Sequence, residues 1–306
     1  MPPRAHPDEV IRQRLRALAR ALPRARAGEP RAVHKARVAS RRVREAIPVA
    51  LATAPARKRR KLLARVERIT RVLGSVRELD VTLALIDELM AGEDVARDAL
   101  DHLRLEAQAE RRARYDRMLG KLDDVDLKRM QSRVQRLAAG AAGEGDARRL
   151  PGTAALMLRL TRRVQELDEA VQAAGPLYAP EPIHAVRIAV KKLRYAFELS
   201  RDLQLLGSRT VLPRLRAAQD TLGRLHDLQV LGARVDTWRA RIAPSDPRID
   251  DLNVLGALLE ADCRELHARF LARRDRLVTA VDEALADVAS RAAVLSDVPA
   301  PRAVVH

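Results

Sequence analysis

The sequence predicts an all-α protein of two tandem four-helix-type repeats, and three observations carry that expectation. Apolar residues recur at helical spacing along nearly the whole chain, interrupted where Pro and Gly fall. Ala, Leu and Arg, strong helix formers, dominate, and no alternating β-branched runs stand between turn signals. Two stretches also read as copies of one another: VHKARVASRRVREAI at 33–47 and IHAVRIAVKKLRYAF at 183–197.

In chain order, the first series of helices is expected over 8–26, 31–54, 56–73, 77–91, 94–119 and 124–139, forming a first repeat of about 8–139. GEP at 28–30 breaks the chain before the first basic helix. In VLGSVRELDV, 72–81, Gly74 takes the position where one helix stops and the next begins. GAAGEGDARRLPG, 140–152, reads as the linker between repeats. The second series is expected over 153–174, 182–206, 209–223, 226–242 and 248–292, with a tail over 293–306. GPLYAPEP at 175–182 breaks the chain before the second basic helix, and Gly223 in TLGRLHDLQV, 221–230, matches Gly74. His34 to Gly74 spans 40 residues and His184 to Gly223 spans 39, so two motifs recur in one order at near-equal spacing. That order and spacing make chance similarity between Arg-rich helices the less attractive account.

With 306 residues, 47% of them hydrophobic, the chain can bury a large core, and with 2% aromatics that core must be Leu, Val, Ala and Ile. Lys and Arg number 58 against 41 acids, a net charge of +17. Residues 31–65 hold 12 of these cations and one acid, Glu45; residues 184–216 hold 8 and two acids, Glu198 and Asp202. The two windows account for the whole excess, and the rest of the chain balances. Such a charge points to a polyanionic partner: nucleic acid, anionic membrane or a phosphate polymer. Cys263 is the only cysteine, which suits a reducing cytosol. No apolar run approaches the roughly 18–20 residues of a membrane span, and MPPRAHPDEV lacks the apolar stretch of a signal peptide. The expectation is a cytoplasmic protein.

At about 100° per residue, His34, Arg37, Arg41 and Arg44 fall within roughly 80° of arc, opposite Ala36, Ala39, Val43, Ala46 and Ile47. In the second copy His184, Arg187, Lys191 and Arg194 form the stripe, opposite Val186, Ala189, Leu193, Ala196 and Phe197. A solvated helix face normally interleaves both signs. Here like charges stand at i,i+3 and i,i+4 with almost no acid among them, so a bound anion is expected to supply the missing charge. The following helices add Arg60 and Arg65, aligned with Arg209 and Arg214, and then Arg77 aligned with His226. Lys58 and Arg59 are expected to be solvated surface. The paired histidines read as donors to phosphate oxygens. A metal held by His34, His184 and His226 is disfavoured by the cationic surroundings and the lack of carboxylate or cysteine partners.

These motifs resemble the CHAD family, the conserved histidine α-helical domain. The resemblance rests on a His-x-x-Arg-x-x-x-basic-basic-x-Arg helix and a Leu-Gly-x-x-Arg/His-acid-Leu turn, each present twice. It implies two four-helix repeats related by a pseudo-two-fold axis, a basic groove between them, and binding of inorganic polyphosphate, with association with polyphosphate granules. It also implies a ligand set of His34, Arg37, Arg41, Arg42 and Arg44 with His184, Arg187, Lys191, Lys192 and Arg194. The Glu-x-Glu-x-Lys signature of a fused triphosphatase does not occur. No cofactor is implied.

Three functions compete. A non-catalytic polyphosphate-binding protein needs only the cationic stripes. A single-strand nucleic-acid binder needs aromatic platforms for the bases, which two Phe, three Tyr and one Trp hardly provide; a duplex binder stays open. A phosphoanhydride enzyme is disfavoured by the lack of a phosphate-binding loop motif or nucleophile elbow. Its only magnesium candidates would be Glu78, Asp80 and Asp227, expected instead to be helix-start acids facing the helix dipole. A membrane-surface role is weaker, because the basic helices lack interfacial Trp or Phe.

Overall fold

The computed structural model describes residues 6–92, 96–139, 145–205, 210–243 and 245–296. These residues form helices and no strand: α1 Pro7–Arg26, α2 Pro30–Ala50, α3 Ala56–Met90, α4 Arg97–Asp123, α5 Leu127–Ala139, α6 Gly145–Ala174, α7 Pro180–Asp202, α8 Val211–Arg239 and α9 Arg248–Ser296. Among them no helix is long and apolar enough to cross a membrane.

Helices α1, α2 and α7 each open on proline, where the missing N–H is not needed and φ is already helical. The chain enters α2 through Gly28 at φ +81 and leaves α6 through Gly175 at φ +58, a region favourable only to glycine. Both expected breaks before the basic helices therefore exist. Two others do not. α3 runs unbroken for 35 residues through Gly74, and α8 for 29 residues through Gly223, so neither glycine ends a helix. An internal glycine weakens a helix by only about 0.5–1 kcal/mol, which packing on several neighbours outweighs. The expected linker is helical from Gly145 onward; 140–144 lie outside the described residues. The expected tail is helical as far as Ser296, and the remainder lies outside them.

Consecutive helices pack in two parallel series, α1 on α2 on α3 on α4 and α6 on α7 on α8 on α9. Between the series α2 meets both α6 and α7, α3 meets α8 and α4 meets α9. The two basic helices fall in the same burial class at all 15 aligned positions, 33–47 against 183–197. Their expected dry faces are buried without exception, from Ala36, Val43 and Ile47 to Val186, Leu193 and Phe197. One continuous core of mainly Leu, Val, Ala and Ile runs through both series.

The seam between the series is held by charge as well as by apolar contact. Among the described residues five ion pairs cross it: Arg14–Asp202 at 2.9 Å, Arg42–Glu198 at 3.1 Å, Arg159–Glu45 at 2.8 Å, Arg224–Glu88 at 2.7 Å and Arg234–Glu110 at 2.7 Å. Glu198 is 1% exposed and receives Arg194 as well, at 2.8 Å. Removing one partner of such a buried pair leaves the other charge uncompensated. Arg42 is 42% exposed and can turn to water, so Glu198→Ala is expected to lower stability by about 1–3 kcal/mol, with Glu198→Gln less affected because its amide oxygen still accepts. Urea unfolding checks this, and an unchanged midpoint in Glu198→Ala refutes it.

Candidate functional site

Helices α2 and α7 meet at the seam, and their wet faces bring the two cationic stripes into one electrostatic field. Lys191 feels Arg41, Arg187, Arg37 and Arg44; Arg37 feels Arg41, Arg187 and Arg77; His34 feels Arg77, Arg37 and Arg41; His226 feels Arg187, His184 and Lys191. Four helices thus contribute to one cluster, with α3 supplying Arg77 and α8 supplying His226. In the second copy His184 Nδ1 lies 3.4 Å from His226 Nδ1. Two imidazoliums do not sit that close, so at least one ring of the pair is neutral. The Arg41 to Lys191 exchange between copies puts a forked donor opposite a point charge.

Burial first, and then cationic neighbours, push these groups toward their uncharged forms. The Lys191 ammonium falls to about 6, the Arg37 guanidinium to about 10 and the His226 imidazole to about 4. His34 and His184 are lowered for the same two reasons. The three histidines are thus neutral at neutral pH; one ring of the His184–His226 pair spends its single N–H on the other, which leaves His34 and the accepting ring each with one N–H for a phosphate oxygen. Arg187 is lowered chiefly by burial, with Asp227 acting against that shift. Asp227 is itself raised by burial although Arg187, Arg77, Arg224 and Arg37 all pull it down. Glu78, Asp80 and Asp227 are not helix-start acids, since all three lie inside uninterrupted helices. Asp80 accepts from Arg111 at 2.6 Å, and Glu78 lies 3.4 Å from Arg114.

The site residues expected from sequence therefore divide. His34, Arg37, Arg41, Arg44, Arg77, His184, Arg187, Lys191 and His226 share the cluster. Three expected ligands are instead engaged by acids: Arg42 and Arg194 on Glu198, and Lys192 on Glu166 at 3.3 Å. Arg60 and Arg65 are exposed on the first half of α3. Arg214 lies apart, lining a cavity of about 210 Å³ between α8 and α9 beside Phe270 and Arg273. Arg209 lies outside the described residues. Arg59, expected to be plain surface, donates from Nη1 to the carbonyls of Leu51, Ala52 and Ala54 at 3.0–3.3 Å and so closes the end of α2; Lys58 is exposed.

Gly74 has a packing reason rather than a turn reason. A Cβ there would stand 3.1 Å from Arg37 Nε, so the glycine lets the Arg37 side chain lie against α3. At Gly223 nothing stands within 4 Å, and that reason does not extend to the second copy. Arg37 and Arg44 also line a cavity of about 420 Å³ with Arg71 and Arg114, two cations that the sequence reading missed. Arg71, Gly74, Ser75 and Glu78 share one helix face at i, i+3, i+4 and i+7. That face is invisible once a break is placed at Gly74. Arg114 comes from α4, and no local pattern announces it.

Comparisons with known proteins accord with this architecture. The fold is similar to the crystal structure of the CHAD domain from the plant Ricinus communis, with a TM-score of 0.60 and 21% identity over 90% of each chain. It is also similar to PptA from Streptomyces chartreusis, with a TM-score of 0.61 and 20% identity over 88% of this chain and 98% of that one. No curated protein matches the chain in sequence. The family model for the CHAD domain matches residues 9–236, which takes in both basic helices and both Leu-Gly motifs, and the chain belongs to the CHAD domain family.

Proposed function

We propose that this chain binds inorganic polyphosphate through the cluster at the α2–α7 seam, without catalysing a reaction on it, and that such binding carries it to polyphosphate granules. One observation carries the reading: cations of both copies share one recessed site, where burial first and then Arg41, Arg187, Arg37 and Arg44 hold Lys191 down to about 6. A phosphate polymer supplies the counter-charge this field lacks. Arginine forks grip phosphate oxygens bidentately, and the bound chain releases condensed counterions, so affinity falls steeply with salt. The recessed positions of Arg37, Arg187 and Lys191, each only partly exposed, favour a thin linear anion over a duplex. Single-strand stacking finds no platform on these helices, since Tyr195 is 5% exposed and Phe197 fully buried.

Arg41→Glu combined with Lys191→Glu is expected to weaken polyphosphate binding by more than about a hundredfold, with helical content unchanged by circular dichroism. Normal binding by that variant places the site elsewhere. His34→Ala with His184→Ala is expected to weaken binding less, because each neutral ring offers at most a single donor. In a competition assay, short polyphosphate should displace duplex DNA while DNA fails to displace polyphosphate; the opposite order establishes nucleic acid as the partner.

The pH dependence has a defined sign. A phosphate beside Lys191 favours the ammonium, so its pKa in the complex lies above the value of about 6 in the free protein. Binding then takes up a proton, and affinity rises as pH falls from alkaline values toward about 6. Calorimetry in buffers of different ionisation enthalpy checks the uptake. Lys191→Arg should keep the binding and flatten this pH dependence. A Lys191→Arg profile identical to that of the unaltered protein rules the lysine out as its source.

A further inference from the structure

Helix α2 carries a second basic stripe beside the first. Arg31, Lys35 and Arg42 recur at i, i+4 and i+11, with the apolar Val38 on the same face, turned by roughly a third of the helix from the Arg37–Arg41–Arg44 stripe, with His34 between them. This second stripe faces α1 across a cleft of about 760 Å³, whose cations are Arg14, Arg20, Arg24, Arg31, Lys35 and Arg42 against the acids Glu29 and Asp202. Arg24 pairs with Glu29 at 2.7 Å, Arg14 with Asp202 at 2.9 Å, and Arg42 with Glu198 at 3.1 Å. That leaves Arg20, Arg31 and Lys35 exposed, with no ion pair among the described residues; Lys35 acts on Glu29 only at longer range. Arg14, in the cleft wall, is 6% exposed and its buried Nε has no hydrogen-bond partner.

Two features separate this cleft from an ordinary solvated face. Its unpaired cations run along a concavity without alternating acids. The duplication does not account for it either, because the positions aligned with Arg31 and Lys35 in the second copy are Glu181 and Ala185. The cleft is also continuous with the principal cluster, since His34 lines it and faces Arg77, Arg37 and Arg41. We propose that the α1–α2 cleft is a second phosphate subsite, which receives the run-on of a long polyphosphate chain leaving the principal cluster over His34. The inference rests on the reading of that cluster as polyphosphate-binding. Because the second copy lacks the stripe, the polymer overruns the seam on the first-repeat side only, and the cleft makes the protein discriminate by chain length.

The test compares tripolyphosphate with long-chain polyphosphate on the full chain. Replacing Arg20, Arg31 and Lys35 together by Ala is expected to weaken long-chain binding about tenfold and to lower its salt slope by about two, roughly 0.7 for each lost phosphate contact. Tripolyphosphate binding should be unchanged. A control variant removing three exposed cations of α4, Arg112→Ala, Arg117→Ala and Lys121→Ala, should leave both ligands unaffected. Equal weakening of both ligands by the cleft variant, or an equal loss of long-chain binding in the control, overturns the subsite in favour of a general field effect. No change in long-chain binding overturns it too, and leaves the principal reading intact. If the unaltered protein binds neither ligand, both readings fail together.

Discussion

Mutual repulsion among cations at the α2–α7 seam is the constraint around which this molecule is arranged. Two unit charges about 4 Å apart repel by about 4 kcal/mol at the effective dielectric near a protein surface. The seam collects such charges from α2, α3, α7 and α8. Two different solutions operate on neighbouring residues. Arg42 and Arg194 turn to the buried carboxylate of Glu198, and Lys192 turns to Glu166. Residues facing the centre form no such ion pair among the described residues, Asp227 acting on Arg187 only at longer range, and burial together with the neighbouring cations makes those that can release a proton do so more readily: Lys191, His34, His184 and His226 are all lowered. Arginine has no such escape at any ordinary pH. The standing positive charge of the free site therefore rests on Arg37, Arg41, Arg44, Arg77 and Arg187.

The scaffold makes that concentration tolerable. Ion pairs cross the seam at several heights, from Arg14–Asp202 to Arg234–Glu110, so the same boundary that collects repulsive charge is also pinned by attractive charge. Long, unbroken α3 and α8 carry Arg77 and His226 on rigid rods packed against the basic helices. Gly74 lets Arg37 approach α3, and the Thr70 hydroxyl donates to Ser40 at 2.8 Å between the same two helices. Positioning donors before a ligand arrives lowers the ordering entropy that binding must overcome.

Much of this was legible in residue order. The two basic helices, their dry faces and their entry turns follow from periodicity and from Pro and Gly, and the identical burial of 33–47 and 183–197 shows how completely local pattern controls a helix of this kind. Seven of the nine members of the cluster stand at helical spacing on the two basic stripes, and Arg77 and His226 are marked by the repeated Leu-Gly motif. What misled was punctuation. Gly74 and Gly223 look like helix ends, yet glycine's helix penalty is small enough for packing to override. The supposed break hid Arg71 on the shared face and misplaced Glu78, Asp80 and Asp227. Arg59 looked like surface because its partners are the carbonyls at the end of the preceding helix, which carry no side-chain signal.

The sequence by itself determined that the chain is helical, which face of each basic helix is dry, and that two copies of one cationic stripe exist, because amphipathic periodicity and charge are properties of neighbours in the chain. Only the tertiary structure decided which cations remain available. Arg41 and Arg42, or Lys191 and Lys192, are adjacent and chemically alike; helical phase turns them about 100° apart but does not say which direction holds an acid. Their roles part because Glu198 and Glu166 stand beside one member of each pair and not the other. Those carboxylates lie 156 residues from Arg42 and 26 from Lys192 along the chain. Electrostatic energy depends on distance through space and on burial, and both are set only when the helices pack.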